Sequence, residues 1–240
     1  MPTLIRIPAL LALCVALTAP RALAQVGHAP RSSPYHDIAS GHSFAAVFGQ
    51  FGGGGGRLGI GPQDGSVYGV RYDLRVSKPV QFGFSFAQGN LQRYVVDPFL
   101  SVATRKTGPV KTRVTFADLS LQLNLTGGKA WHRLAPYTGV SLGVAFGKHV
   151  PEDTSAYRFG NKFYFAPQIG TRLFLTSHLH LRADVRALFW KLTYPNQFTV
   201  EPAVDPGTAD DPHALIPGGR LNEWTLSPWL QVGLGYSFKL

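Results

Sequence analysis

The sequence predicts an all-β fold: an eight-stranded antiparallel up-and-down transmembrane β-barrel that follows a cleaved signal peptide. Three observations predict it. The first is Trp229–Leu240, where Leu230, Val232, Leu234, Tyr236, Phe238 and Leu240 alternate with Gln231, Gly233, Gly235, Ser237 and Lys239. A strand sends alternate side chains to opposite faces, so one face here is wholly apolar and the other small or polar. The second is that long and short connections alternate along the chain, as they do when hairpins cross a bilayer with loops on one side and turns on the other. The third is composition: 240 residues with 27 Gly and 18 Pro suit many strands and turns in one domain. No run of 18 apolar residues follows the N-terminal region, which argues against a helical membrane protein.

The elements follow in order. Met1–Ala24 reads as a signal peptide, with Arg6 as its basic start, Ile7–Leu17 as its apolar stretch and Ala22-Leu23-Ala24 as the small-x-small cleavage site. Cys14 lies inside it, so the mature chain has no Cys and no disulfide framework. Loss of Arg6 and Arg21 takes the formal charge from +10 to +8. Residues 25–42, with Pro30 and Pro34, are expected to form an irregular leader, and residues 43–240 the barrel domain. Ser43–Phe51 is a first, weak strand. Gly52–Ser66 holds a glycine run but no Gly-Lys-Ser/Thr ending, so it reads as a mobile loop and not a phosphate cradle. Val67–Val76 and Val80–Phe86 alternate cleanly around Ser77-Lys78-Pro79 and form a hairpin.

Asn90–Lys111 is expected to be a long irregular loop, and Arg113–Leu125 the fourth strand. Leu119, Leu121, Leu123 and Leu125 share its apolar face. Val114 and Phe116 fall on its polar face, which suggests a bulge or a strand rising clear of the membrane. Tyr137–Phe146 is the fifth strand and Lys162–Leu175 the sixth, separated by the loop Gly147–Gly160. Leu179–Trp190 is the seventh, with Leu181, Ala183 and Val185 opposite Arg182, Asp184 and Arg186. Thr193–Leu221 is the last long loop. Trp224–Leu240 is the eighth strand, with an irregularity expected at Pro228.

Several stretches resemble the small eight-stranded outer-membrane β-barrel superfamily, the OmpA-, OmpX- and OmpW-like group. Leu134–Phe146 resembles its Pro-Tyr-x-Gly-x-Gly strand. Ile169–Thr176 with Leu179–Arg186 resembles its penultimate hairpin. Gln231, Gly233, Tyr236, Phe238 and Leu240 resemble its C-terminal assembly signal, although the usual signal ends on an aromatic and here Lys239 and Leu240 follow Phe238. The resemblance implies a cell outer membrane location with the N-terminus in the periplasm. It also implies, as partners, outer-membrane lipid and lipopolysaccharide, the barrel insertion machinery and periplasmic chaperones. Fold-level likeness specifies architecture more than activity.

If the apolar faces meet lipid, Arg71, Asp73, Arg75, Asp118, Arg172, Arg182, Asp184, Arg186 and Lys239 point inward. Buried charge needs partners or water, so an ion-pair network around the two Arg-x-Asp-x-Arg patterns is expected, acting as a plug or as an anion-preferring pore. Trp131, Tyr137, Phe189, Trp190 and Trp224 are expected at the membrane interfaces. His149, Asp153 and Ser155 share one loop and could make a hydrolase constellation, yet a loop rarely supplies a triad's fixed geometry, and His178 and His180, spaced by two with no Ser between or after, make no His-x-Ser. No metal-ligand spacing and no cofactor motif is found. The basic charge is spread among strands and loops of an exported chain, which points away from nucleic acid. The expectation is a monomeric, non-enzymatic barrel protein with a structural or surface-contact role through its long loops, with a narrow porin-like channel as the alternative and an outer-membrane lipid hydrolase less favoured.

Overall fold

The computed structural model describes residues 33–239, except 39, 149, 152, 154 and 156. The expected signal peptide, most of the leader, His149 and Leu240 therefore lie outside the described residues. Among the described residues ten strands form: β1 (Tyr35–Asp37), β2 (His42–Phe51), β3 (Gly65–Arg75), β4 (Val80–Val96), β5 (Lys106–Asn124), β6 (Lys129–Trp131), β7 (Leu134–Gly147), β8 (Asn161–Phe174), β9 (Leu179–Thr193) and β10 (Asn222–Phe238). Eight close a ring, β2-β3-β4-β5-β7-β8-β9-β10, and every seam is antiparallel. The ring closes where β10 meets β2, in continuous register from Trp229↔Phe51 to Phe238↔His42.

The outward face follows from sequence alternation. Leu230, Leu234, Val185 and Leu121 are all exposed, at 54%, 50%, 47% and 45%. Among the described residues no second sheet or helix covers them. On β10 the apolar outward set runs from Leu226 to Tyr236. Ten residue steps of about 3.3 Å, tilted by about 40°, span roughly 25 Å, the height of an apolar membrane band. The outward residues of that band carry no charge, which in lipid would cost about 2–4 kcal/mol at the midplane. The chain crosses a bilayer with its strands.

The connections alternate as the pattern predicts. Residues 76–79, 125–133 and 175–178 make the short-turn end, and 52–64, 97–105, 148–160 and 194–221 the long-loop end. Several expectations need correction. The leader is not wholly irregular: β1 pairs with β6, Tyr35↔Trp131 through Asp37↔Lys129. β6 turns into β7 through His132 and Arg133, both with positive φ (47° and 72°), the conformation a two-residue I′ hairpin turn demands. Asn90–Lys111 is mostly strand, because β4 and β5 stay paired to Val96↔Lys106, with one register shift between Arg93 and Val95. Val114 and Phe116 mark no bulge; they lie in unbroken register and are fully buried inside.

Pro228 causes no break either. β10 keeps its register with β9 through Pro228↔Ala187, and pairing with β2 begins just beyond it, at Trp229. The glycine-rich loop is shaped by backbone bonds: Gly61 N–H to Gly55 O at 2.8 Å, and Tyr94 N–H to Gly59 O at 3.0 Å. Gly55, Gly56 and Gly59 take positive φ there, which a side chain disfavours.

Candidate functional site

Among the described residues, the lumen gathers most of the buried charged side chains. Its short-turn half is polar. Arg71 and Asp73 on β3, Arg182, Asp184 and Arg186 on β9, and Asp118 on β5 form one chain of alternating charge. Arg71 Nε donates to Asp73 Oδ1 at 2.8 Å, and Arg182 Nη1 reaches Asp73 Oδ2 at 3.0 Å. Arg182 Nε and Arg186 Nε grip the two oxygens of Asp184 at 3.2 and 3.1 Å. Arg186 Nη1 reaches Asp118 Oδ2 at 3.1 Å. Three guanidinium groups meet three carboxylates, so the chain is neutral although the inward residues named from sequence are not. All six are buried. Two tyrosines complete it: Tyr164 donates to Asp118 at 2.9 Å, and Tyr137 donates to Asp184 at 3.2 Å while accepting from Arg182 at 2.7 Å.

Small residues make room for this. A Cβ on Gly83 would run into Arg71 and Asp73, and one on Gly170 would sit 2.6 Å from the Tyr137 hydroxyl. The alternation that reads as merely small or polar in the sequence is the space the guanidinium groups occupy.

The other three inward candidates stand apart. Arg172 has no carboxylate partner; it donates to Gln81 Oε1 at 2.5 Å and to Asn124, and lies 5.2 Å over the Tyr137 ring. Arg75 is half-buried and donates to the backbone carbonyls of Ile38 and Ser40, tying down the segment before β2. Lys239 is exposed beyond the end of β10. These three are corrections to the expected network.

The long-loop half is apolar. Phe51, Phe116, Trp190 and Trp229 meet at ring separations of 5.0 to 6.3 Å. Arg186 lies 5.1 Å from the Trp229 ring, so the two halves join through a guanidinium on an indole face. Three long loops add to this layer from above. Residues 52–64 bring Ile60, 148–160 bring Tyr157 and Phe159, and 194–221 bring Phe198 and Ile216, all buried. Arg93 on β4 pairs with Asp153 of the 148–160 loop, both buried.

Two expected interfacial aromatics are thus interior: Tyr137 and Trp190 are 0% and 1% exposed. Their register explains it. Tyr137 shares a face with Gly139 and Ser141, and Trp190 with Arg186, so both alternate inward. Trp224, Phe189 and Trp131 do face out; Phe189 stacks on Phe165 at 4.9 Å, and Trp224 lies 6.1 Å from Phe165. Tyr164, Phe116 and Trp229 also line the lumen beyond the residues expected there, and the signal that finds them is their parity with Gln168, Asp118 and Gln231.

Of the hydrolase constellation read from the sequence, His149 lies outside the described residues. Asp153 is committed to Arg93 and accepts from the Ser155 hydroxyl at 2.6 Å. No cluster of His, Cys, Asp and Glu able to hold a metal occurs among the described residues.

The closed ring of eight strands is similar in fold to solved structures. The fold is that of the small outer-membrane β-barrels. Neisserial surface protein A aligns with a TM-score of 0.50 at 11% identity, over 86% of this chain and 98% of that one. OprG of Pseudomonas aeruginosa aligns at 0.49 and 13%, over 87% and 100%. A major outer membrane protein of Thermus thermophilus aligns at 0.44 and 16%, over 83% and 100%. No protein-family model matches the chain, and no curated protein matches it.

Proposed function

We propose that this chain is a monomeric, non-conducting surface protein of the cell outer membrane, working through its long loops. The carrying observation is the two-layered filling of the bore: a neutral charge chain below and stacked rings above. An eight-stranded barrel is only wide enough to be filled by side chains, and here they fill it. The long loops then lie outside the cell, and the N-terminus and short turns in the periplasm.

Two loops join at the outer tip. Val102 N–H donates to Asp205 at 3.1 Å, and Arg105 donates to His213 O at 2.6 Å. Around this junction Phe99, Leu100, Val102, Val200 and Val204 are exposed. Clustered apolar exposure on a surface that gains nothing from lipid supports a contact role. Lipopolysaccharide, as the outer leaflet, surrounds the band. On β10, Tyr236 and Phe238 face outward at the short-turn end, with ring centroids 6.5 Å apart, where the insertion machinery would read them as an assembly signal.

The channel reading draws support from buried lumen polar atoms without partners, among them the amides of Gln122 and Gln168 and single nitrogens of Arg71, Arg172 and Arg186. The test has two arms. Planar bilayers carrying purified wild type should stay silent; stepwise conductance would overturn the filled-lumen reading. Cells displaying the protein should adhere better than cells without it to a surface coated with apolar groups, and Phe99→Ser with Val204→Ser should remove the gain; unchanged adherence would reject the loop tip as the contact.

A further inference from the structure

The outward face is not uniform in charge. Above the apolar band, β2, β3 and β4 present Gln50, Ser66, Gln88, Asn90 and Gln92, and no base. The neighbouring side presents Lys111 and Arg113 on β5 and Lys148 just after β7, all exposed. Lys148 N–H donates to Arg113 O at 3.0 Å, so these two bases stand on adjoining strands. Lys191 on β9 is also exposed and sits opposite Trp224.

Directly below Arg113 the band is notched. Arg113 and Ala117 share the outward face of β5, about 14 Å apart at roughly 3.4 Å per residue. Ala117 is the one small residue among Leu119, Leu121 and Leu123 on that face. Its neighbours across the strands are Phe86 and Val144. A groove of about 560 Å³ opens over Ala117, Leu119 and Leu142, walled by Phe84, Phe163 and Trp224. Phe163 stands 82% exposed at its edge. This volume lies within the roughly 300–1,000 Å³ common for small-ligand sites, and its lining is almost wholly apolar.

We propose that this strip of β5, β7 and β8 is a lipid site for the phosphorylated, multiply acylated glucosamine lipid of the outer leaflet. One acyl chain lies in the notch over Ala117 against the Phe163 ring, and a sugar phosphate rests on Arg113 and Lys148. The charge decides between occupants. A neutral lipid would use the notch and leave the bases idle. A singly charged glycerophospholipid would meet only one of the bases, whereas a bis-phosphorylated headgroup several ångströms wide engages Arg113, Lys148 and Lys111 together. The proposal rests on the outer-membrane orientation given above, but not on the loop-tip contact.

The test uses purified full-length protein in phosphatidylcholine nanodiscs containing a trace of lipid A, with retention scored by native mass spectrometry. Lipid A should be retained on the wild type. Arg113→Gln with Lys148→Gln should lower retention by about tenfold for each charge-assisted hydrogen bond removed. Ala117→Phe, which fills the notch, should lower it without touching charge. Ala46→Phe, an equal enlargement on β2, should leave it unchanged and controls for folding. Equal retention by all variants, or equal competition by phosphatidylglycerol, would overturn the proposal. Either result would leave bilayer silence and loop-tip adherence untouched, so its failure is separable from failure of the surface-protein reading.

Discussion

Within one barrel, two interiors meet at Arg186. Below it, space is filled by charges that hold each other. Above it, space is filled mainly by rings and aliphatic side chains, with the Arg93–Asp153 pair under the loops as the exception. Both halves present apolar residues outward within the membrane band, and both come from strands of the same alternation. The difference lies only in which inward side chains the sequence supplies. Polar filling fixes geometry through direction and charge, and its removal leaves a buried partner uncompensated. Apolar filling tolerates exchange of shape better, and its removal leaves a cavity. The loops attach to the apolar half alone, so the tolerant end is also the one that carries the variable surface.

Substitutions can break or sharpen this contrast. The largest loss is expected for Asp184→Ala, which strips a carboxylate from both Arg182 and Arg186. About 3–5 kcal/mol should disappear from reversible urea unfolding in vesicles. A loss below about 1 kcal/mol would mean that water replaces the acid, and that the lower half is solvated. Leu188→Ala in the upper half should cost about 2–5 kcal/mol by cavity formation, with no dependence on salt. A double-mutant cycle between Asp118 and Arg186 should return a coupling of about 0.5–3 kcal/mol, while Asp118 against Leu188 should return nearly none. Arg75→Ala should change global stability by less than about 1 kcal/mol, yet hydrogen exchange should speed up at Tyr35–Ile38, because only that segment loses its tie.

The smallest effect concerns pH at the 194–221 loop. Glu201 accepts from the N–H groups of Gly207, Ala214 and His213, and these bonds hold its pKa below the ordinary 4.5. Its support is full above about 4.5 and is lost as pH falls through the depressed value. His213 is raised above 6.5, first by its bond to the Asp205 carbonyl and also by the Asp205 and Asp211 charges. Its support is full below about 6.5 and is lost as pH rises through the raised value. Limited proteolysis of this loop should therefore be slowest between about pH 4.5 and 6.5. Protection that rises steadily from pH 5 to 9 would contradict the assignment of His213.

Alternation made the barrel legible. Leu230, Leu234, Val185 and Leu121 face out as their parity says, and Arg71, Asp73, Arg182, Asp184 and Arg186 face in. The alternation of long and short connections was legible for the same reason, but their bounds were not: the polar residues of Asn90–Lys111 hide strand that stays paired to Val96↔Lys106. The lumen was only half legible. Trp190 and Tyr137 were assigned by residue type, because aromatics favour interfaces, when parity with Arg186 and Gly139 placed them inside. Val114 and Phe116 looked like faults because an inward face was expected to be polar. An eight-stranded bore is narrow enough to be dry at one end, and there apolar side chains suit both faces. The pairing within the network was not legible at all. Arg71 and Arg182 share Asp73 across two intervening strands, and only closure of the ring brings them together.

Single-tryptophan variants test the two-layered lumen most directly. Trp190 or Trp229 is kept alone in one pair of proteins and Trp224 in another, each reconstituted in vesicles. We expect aqueous acrylamide and acyl-brominated lipid both to leave Trp190 and Trp229 emission nearly unquenched, and brominated lipid to quench Trp224. Acrylamide quenching of Trp190 or Trp229 would reveal an open, wet bore; quenching of either by brominated lipid would turn the barrel inside out and contradict the assignment of its faces.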